Sequence, residues 1–282
     1  RRTVPGSESN PITKPSIPIA SPDRRSPIPW RLLRTPPAPG SWNMAVDESL
    51  MESVRQGGPP VLRFYDWEPA CLSIGYFQAI AAVNSRECCR RGIDIVRRPT
   101  GGNAILHQDC LTYSVALPVS SPLVDGGIVA SYRRLSRPFQ ETLLEFGAPV
   151  VPAPASVRPV AGFDCFAAPG PYEITLAGRK ILGSAQTRRR GVVLQHGSLF
   201  VGPAPDIAGC SSAPSNGRPP PGPNLLDFLP DGPGDLPNAI ARHCSGAWSG
   251  RFEDDNLSPA ENELASSLAR DKYSTPRWTE IR

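Results

Sequence analysis

The residues of this chain whose types could do chemistry gather around two positions fifteen residues apart. Cys165 stands in Phe163-Asp164-Cys165-Phe166, within a Pro-rich irregular stretch, and Lys180 stands in Gly178-Arg179-Lys180-Ile181-Leu182-Gly183-Ser184-Ala185. A thiolate is a strong nucleophile, and a neighbouring cation favours it over the thiol. A Lys facing a groove could provide that cation, or bind an acyl carbonyl as a point charge. Each residue also has a plain structural reading. A Cys beside Phe packs as a small hydrophobe, and a strand-end Lys is ordinarily solvated. Composition weighs against the second of these. Of the 30 Lys and Arg only Lys14, Lys180 and Lys272 are Lys, so Arg supplies generic positive charge and a retained Lys is a candidate for chemistry that Arg cannot perform.

A second group lies at Arg97-Arg98-Pro99-Thr100-Gly101-Gly102-Asn103, followed by Ala104 to His107. Adjacent glycines let backbone amides approach a ligand, and the two arginines could clamp a phosphate or orient a carboxylate. The alternative is a tight turn with solvated guanidinium groups. Gly183, Ser184 and Ala185 are small enough to leave room for a ligand against a sheet. His107 and His196 fall on expected strands near Gly-rich turns, as packed residues or as pocket walls. His243 reads as a helix residue without a role, and Arg188-Arg189-Arg190 as a solvated hairpin tip or a dock for an acidic carrier. The seven cysteines include no C-x-x-C pair, so neither a zinc site nor a redox motif is signalled, no metal is expected, and a reducing cytoplasm fits best. A net charge of +4 is too mild for a nucleic-acid binder and suits a transient acidic partner. No apolar run reaches the roughly 18 residues of a membrane span.

The elements that must position these groups are legible in outline. Residues 1–29 are rich in Pro, Ser and Arg without periodicity and read as a disordered tail; residues 30–282 read as one domain, with a Pro/Gly-rich loop at about 202–237. Ser41 could cap a helix over about 42–56. Strands are expected at 61–65, 71–75, 93–96, 104–107 and 111–117, and a polar helix at about 84–91. A helix at about 128–146 contains Pro138, which predicts a kink or a late start. Residues 172–187 read as a hairpin about Ala177-Gly178, and Arg190-Gly191 turns into a strand over 192–201. Ser258-Pro259-Ala260-Glu261 is a capping box that opens the last helix. Hairpin-linked strands with few helices favour α+β.

Five segments in order carry a resemblance: WNMAVDESL (42–50), LRFYDWEPACLSIGYFQ (62–78), RRPTGGNAILHQDCLTYSVALP (97–118), GRKILGSAQTRRRGVVLQHGSLF (178–200) and LARDKYSTPRW (268–278). Together they resemble the lipoate–protein ligase A/octanoyltransferase family of the biotin/lipoyl attachment superfamily. The Cys-Phe, Tyr-Glu and Gly-Arg-Lys-x-x-Gly-Ser-Ala-Gln pieces are most similar to its octanoyltransferase branch. The resemblance implies a class II biotin/lipoyl ligase-like α+β fold, with a larger mixed sheet and a smaller sheet flanked by helices. It implies that Cys165 carries an acyl-thioester and that Lys180 contacts the acyl carbonyl and tunes the thiol. It implies acyl-binding walls at Arg98, Gly101, Gly102, Gly183, Ser184 and Ala185, with Thr100 inside the same loop motif and His107 as the His that closes it; His196, close to the Lys180 hairpin in sequence, could line the same pocket. The implied reaction moves an octanoyl group, without ATP or other cofactor, from octanoyl-acyl carrier protein to a lysine of a lipoyl-domain protein, such as a glycine-cleavage H-type protein or a 2-oxoacid dehydrogenase subunit. Two other readings stay open: an ATP-dependent lipoate–protein ligase in which Arg97-Arg98 hold phosphate, and a non-catalytic acyl-binding or carrier-docking protein.

Overall fold

A computed structural model describes residues 27–157, 162–213, 224–229, 232, 234 and 236–282. Most of the tail expected at 1–29, and the middle of the loop expected at 202–237, lie outside these residues. Ile28 and Pro29, read as the end of the tail, are instead the first residues of strand β1, Ile28–Arg34. In chain order there follow helix α1 (Gly40–Arg55), β2 (Val61–Tyr65), β3 (Cys71–Ile74), α2 (Ser85–Arg90), β4 (Asp94–Arg97), β5 (Ile105–His107) and β6 (Cys110–Pro118). Then come α3 (Gly127–Glu145), β7 (Val150–Pro152), β8 (Ile174–Leu176), β9 (Arg179–Lys180), β10 (Leu182–Arg189) and β11 (Val192–Phe200). The chain closes with α4 (Leu236–Trp248), β12 (Gly250–Asp255), α5 (Pro259–Leu268) and α6 (Pro276–Thr279).

The large sheet has six strands in the order β10-β11-β6-β2-β1-β12. It is mixed: β1 runs parallel to both β2 and β12, while β6 is antiparallel to β2 and β11. Period-two alternation divides its faces. Leu62 and Phe64 of β2, Val115 and Leu117 of β6, and Val193 of β11 face Leu135, Phe139 and Leu143 of α3 and Ile240 and Trp248 of α4. Val61 and Tyr65, Ala116, and Val192 and Phe200 pack with Met44, Val46 and Leu50 of α1. Each such fully buried side chain contributes about 1.5–3 kcal/mol. Two three-stranded sheets accompany the large one, β4-β3-β5 and β7-β8-β9, where the sequence suggested one smaller sheet.

Three local expectations are corrected. Ser41 lies inside α1; the helix starts after Pro39 with no side-chain cap. The single strand expected over 179–187 divides at Ile181, so that Lys180 belongs to a small sheet and Leu182 to the large one. The carbonyl of Ile174 accepts from Ile181 N–H, and Ile181 C=O accepts from Phe200 N–H, so Ile181 bridges the two sheets. The third concerns Pro138, which lies inside α3: the helix already runs from Gly127, so the late start does not occur. Proline lacks the N–H that would satisfy the carbonyl of Arg134, and Trp248 Nε1 of α4 donates to that carbonyl at 3.3 Å instead. The Arg190-Gly191 turn and the Ser258/Glu261 capping box appear as read.

Candidate functional site

The site begins with the loop between β4 and β5. Gly75, just after β3, has no room for a side chain: a Cβ there would lie 1.9 Å from the carbonyl oxygen of Gly102. Gly102 itself has φ of +90°, which glycine adopts without strain. Both arginines of the loop are buried and serve it. Arg97 donates to the carbonyls of Gly75, Tyr76, Gln78 and Thr279. Arg98 donates to the carbonyls of Gly101, Asn103 and Ser73 and to Ser73 Oγ, which uses all five of its N–H groups. Burial lowers its pKa to about 10. Trp278 Nε1 returns a hydrogen bond to Arg97 C=O, so the C-terminal α6 anchors the loop from behind. Of the readings open at Arg97-Arg98, neither the anion clamp nor the pair of solvated guanidinium groups appears: both side chains are buried and clamp backbone carbonyls.

Under the loop lies a buried polar network on the face of the large sheet toward α1. Asp47 of α1 accepts from Arg63 Nη1 (2.8 Å), Ser114 Oγ (2.8 Å), Tyr65 OH (3.1 Å) and His196 Nδ1 (3.0 Å). Burial works against the Asp47 carboxylate, yet the His196 hydrogen bond and the Arg63 charge outweigh it and hold its pKa below the usual value. Because the carboxylate only accepts, His196 Nδ1 carries the proton, which leaves Nε2 to meet Thr100 Oγ1 at 2.7 Å. The network thus ties Thr100 of the glycine loop to α1. His107 is stacked on Trp67, with ring centroids 4.0 Å apart, and its nitrogens face Ser73 Oγ and Ser198 Oγ at 2.8 and 3.0 Å. Burial, then the charge of Arg98, pushes His107 well below its usual pKa, so the ring stays neutral. Met44, Trp67, Ile105 and Ala185 supply the apolar wall of a narrow pocket whose polar wall includes Ser73, Arg98, His107 and His196.

Cys165 reaches this loop through backbone pairing. Ala104 N–H donates to Phe163 C=O and Cys165 N–H to Ala104 C=O, at 2.8 and 2.9 Å. Of the seven cysteines, all unpaired, Cys71, Cys88, Cys110, Cys210 and Cys244 are buried; Cys165 is half-buried and Cys89 exposed. Lys180 Nζ lies 3.1 Å from Cys165 Sγ and 3.0 Å from Cys165 C=O. Its third partner is Glu173 Oε1, at 2.8 Å. Burial would lower the pKa of Lys180, but Cys165 and Glu173 raise it above its usual value, so the amine is charged. The space left by Gly183 is filled by the protein: a Cβ there would meet Phe166 Cζ at 2.9 Å and Lys180 Cε at 3.0 Å. Gly183 therefore admits Lys180 and Phe166 rather than a ligand. Its neighbour Ser184 meets Tyr113 OH at 2.8 Å.

The fold thus brings together Cys165 and Lys180 on one side and Arg98, Thr100, Gly101, Gly102, His107, Ala185 and His196 on the other. The residues that sequence reasoning passed over are Gly75, Asp47, Arg63 and Glu173. Asp47 and Glu173 stood inside conspicuous segments, but nothing local distinguishes a buried carboxylate from a solvated one. His243 lies on a helix, α4, beside Glu145 and outside the lining of this pocket. Arg188 is held by Val124 C=O, Ser131 Oγ and Gln186 Oε1, and Arg189 lies over the ring of Tyr76, so the expected hairpin tip is partly docked. Among the described residues no group of three or more His, Cys, Asp or Glu could hold a metal ion. No described helix is long and apolar enough to cross a membrane.

Comparison with known proteins places this arrangement. The chain is 48% identical to the octanoyltransferase LipM of Moorella thermoacetica over 179 residues, which cover 61% of this chain and 65% of that protein. It is 42% identical to the octanoyltransferase LipM of Kyrpidia tusciae over 180 residues, covering 61% and 66%. The chain thus spans about two thirds of the length of these curated relatives. A lipoate protein ligase of T. acidophilum, solved with lipoic acid, superposes with a TM-score of 0.74 at 26% identity, covering 90% of this chain and all of that one. A lipoate-protein ligase A bound with ATP superposes with a TM-score of 0.75 at 26% identity, covering 90% and 99%. Residues 39–212 match the family model of the lipoyl protein ligase A/B catalytic domain, and the chain belongs to that family.

Proposed function

We propose that this protein is an octanoyltransferase that carries the acyl group on Cys165. The observation that carries the reading is the contact of a charged, buried Lys180 with Cys165 Sγ at 3.1 Å, on a segment whose backbone pairs with Ala104 next to the pocket residue Ile105. A ligase that activates its acid with ATP needs no thiol there, and the arginines that would hold phosphate are committed to carbonyls. The similarity to proteins named octanoyltransferase LipM supports the same choice.

The chemistry follows from those groups. The Cys165 thiolate attacks the carbonyl of an octanoyl thioester, and a new carbon–sulfur bond forms. Lys180 and backbone amides at Gly101 and Gly102 stabilise the oxyanion. The intermediate collapses, the original carbon–sulfur bond breaks, and the leaving thiolate takes a proton from Lys180. A neutral lysine amine of the acceptor protein then attacks the acyl-enzyme. The amide forms, the Cys165 thiolate leaves, and the proton released by the amine returns to Lys180. Lys180 gives a proton in one half-reaction and recovers it in the other, as a two-step exchange at one site requires. Thr100, His107 and His196 shape the wall against which the acyl chain lies, while Arg98 positions the loop. The donor is octanoyl-acyl carrier protein and the acceptor a lipoyl-domain protein.

The test is intact mass after mixing with octanoyl-acyl carrier protein in the absence of ATP. The wild type gains a hydroxylamine-labile octanoyl adduct, and Cys165→Ala gains none. Absence of an adduct on the wild type, together with lipoylation of a lipoyl domain once ATP and free lipoate are added, would overturn the reading in favour of a ligase.

A further inference from the structure

We propose that Glu173 is the positioning residue of the thiol–amine pair: its carboxylate holds Lys180 charged and aimed at Cys165, so that the reactive unit is Glu173–Lys180–Cys165 rather than Cys165 and Lys180 alone. The inference rests on the octanoyltransferase reading but concerns a residue that the reading does not require.

The geometry is specific. An ammonium has three N–H donors, and those of Lys180 are met by Glu173 Oε1 at 2.8 Å, Cys165 Sγ at 3.1 Å and Cys165 C=O at 3.0 Å. The side chains of Lys180 and Glu173 are only 3% and 14% exposed, so solvent does little to screen their attraction. Glu173 is itself fixed, for its Oε2 accepts from Gly170 N–H at 2.6 Å. Its backbone is pinned too, with Ala153 N–H donating to its carbonyl and its own N–H donating to Gly170 C=O. The residue before it, Tyr172, has φ of +64°, an uncommon conformation for a side chain of that size. Among the described residues, two further titratable groups feel the unit: Arg98, which feels the Cys165 charge, and Tyr132 of α3, which feels both Glu173 and Cys165.

The physical consequence has a definite sign. A buried amine prefers to be neutral, and with only a thiol as partner the pair can discharge by moving one proton from nitrogen to sulfur. A carboxylate in direct contact with the nitrogen opposes that transfer. Removing the carboxylate charge therefore shifts the pair away from the ammonium–thiolate state.

The experiment follows alkylation of Cys165 by iodoacetamide against pH, read by peptide mass, in a Cys89→Ser background that silences the exposed thiol. Glu173→Gln is expected to slow alkylation at pH 7 about tenfold and to move the acid limb of the profile upward, and Glu173→Asp to recover part of the rate. A folded Glu173→Gln protein whose profile overlays that of the wild type would overturn the proposal. If the Gln variant does not fold, lysine 15N spectra decide, since the chain contains only three Lys. The Lys180 nitrogen should stay in the ammonium range beyond the pH at which an ordinary lysine titrates in the wild type, and leave it at lower pH in Glu173→Asp. Overlapping titrations would refute the proposal. Alkylation needs no acyl donor, so a failure of octanoyl transfer with these shifts intact counts against the proposed activity and leaves the role of Glu173 standing.

Discussion

At Asp47 four donors converge on a single fully buried carboxylate, and the partners come from β2, β6 and β11. Arg63 is equally buried; it also meets Asn43 Oδ1 and Thr35 Oγ1, so each charge is desolvated on the assumption that the other is present. Removing one member leaves the other uncompensated, which costs about 3–5 kcal/mol in buried pairs. Asp47→Ala should lose stability of that order in urea unfolding at pH 7, and should also free His196 and with it Thr100. A loss below about 1 kcal/mol would show that water replaces the carboxylate and that the network is not what fixes the loop.

At the scale of elements, the glycine loop is held by strands and helices distant in sequence. β3 brings Gly75 against Gly102, β4 delivers Arg97, and α6 caps Arg97 with Trp278 and Thr279. Gly75→Ala puts a methyl group where a backbone oxygen stands, and neither β3 nor the loop can rotate it away. This variant should fold, because the large sheet is untouched, yet form the octanoyl adduct at least tenfold more slowly, measured by intact mass against time. A wild-type rate would mean that the loop does not shape the reacting geometry.

Across the whole molecule, β1 of the large sheet is joined to α5 by charge. Arg31 of β1 contacts Glu261 of α5 through both carboxylate oxygens and also reaches Asp255 of β12. Burial opposes the Glu261 carboxylate, but the Arg31 hydrogen bond and the Ser258 backbone N–H prevail and lower its pKa from 4.5 to about 2. A carboxyl so depressed stabilises the fold fully above its unfolded value, and the contribution vanishes as pH falls through the folded one. The difference corresponds to about 3 kcal/mol at 1.36 kcal/mol per pH unit. Glu261→Gln should therefore be less stable than the wild type by on the order of 2–3 kcal/mol at pH 7, with the gap closing between about pH 4.5 and pH 2 in denaturant titrations. A gap that persists at pH 2 would assign the effect to packing rather than charge.

Much of this was written in local sequence. The hairpin turns at Ala177-Gly178 and Arg190-Gly191, the capping box at Ser258 and the branched and aromatic run along β6 depend on neighbours in the chain, so residue type and spacing sufficed. Cys165 and Lys180 were legible because their motifs are compact and because Lys is scarce. Other features were decided only by the tertiary structure. β12, Gly-Arg-Phe-Glu-Asp-Asp, has no apolar pattern of its own; it becomes a strand because Phe252 packs on Trp30 while its backbone pairs with β1 more than two hundred residues away. The helix over Pro138 survives because an indole from α4 satisfies the orphaned carbonyl. Arg97 and Arg98 stayed open between anion ligands and solvated turn residues, since a guanidinium reads the same whether it faces phosphate, water or carbonyl oxygen. Chain spacing cannot tell which side chains lose their water, and that loss is what turned two arginines into loop supports and made Glu173 a partner of Lys180.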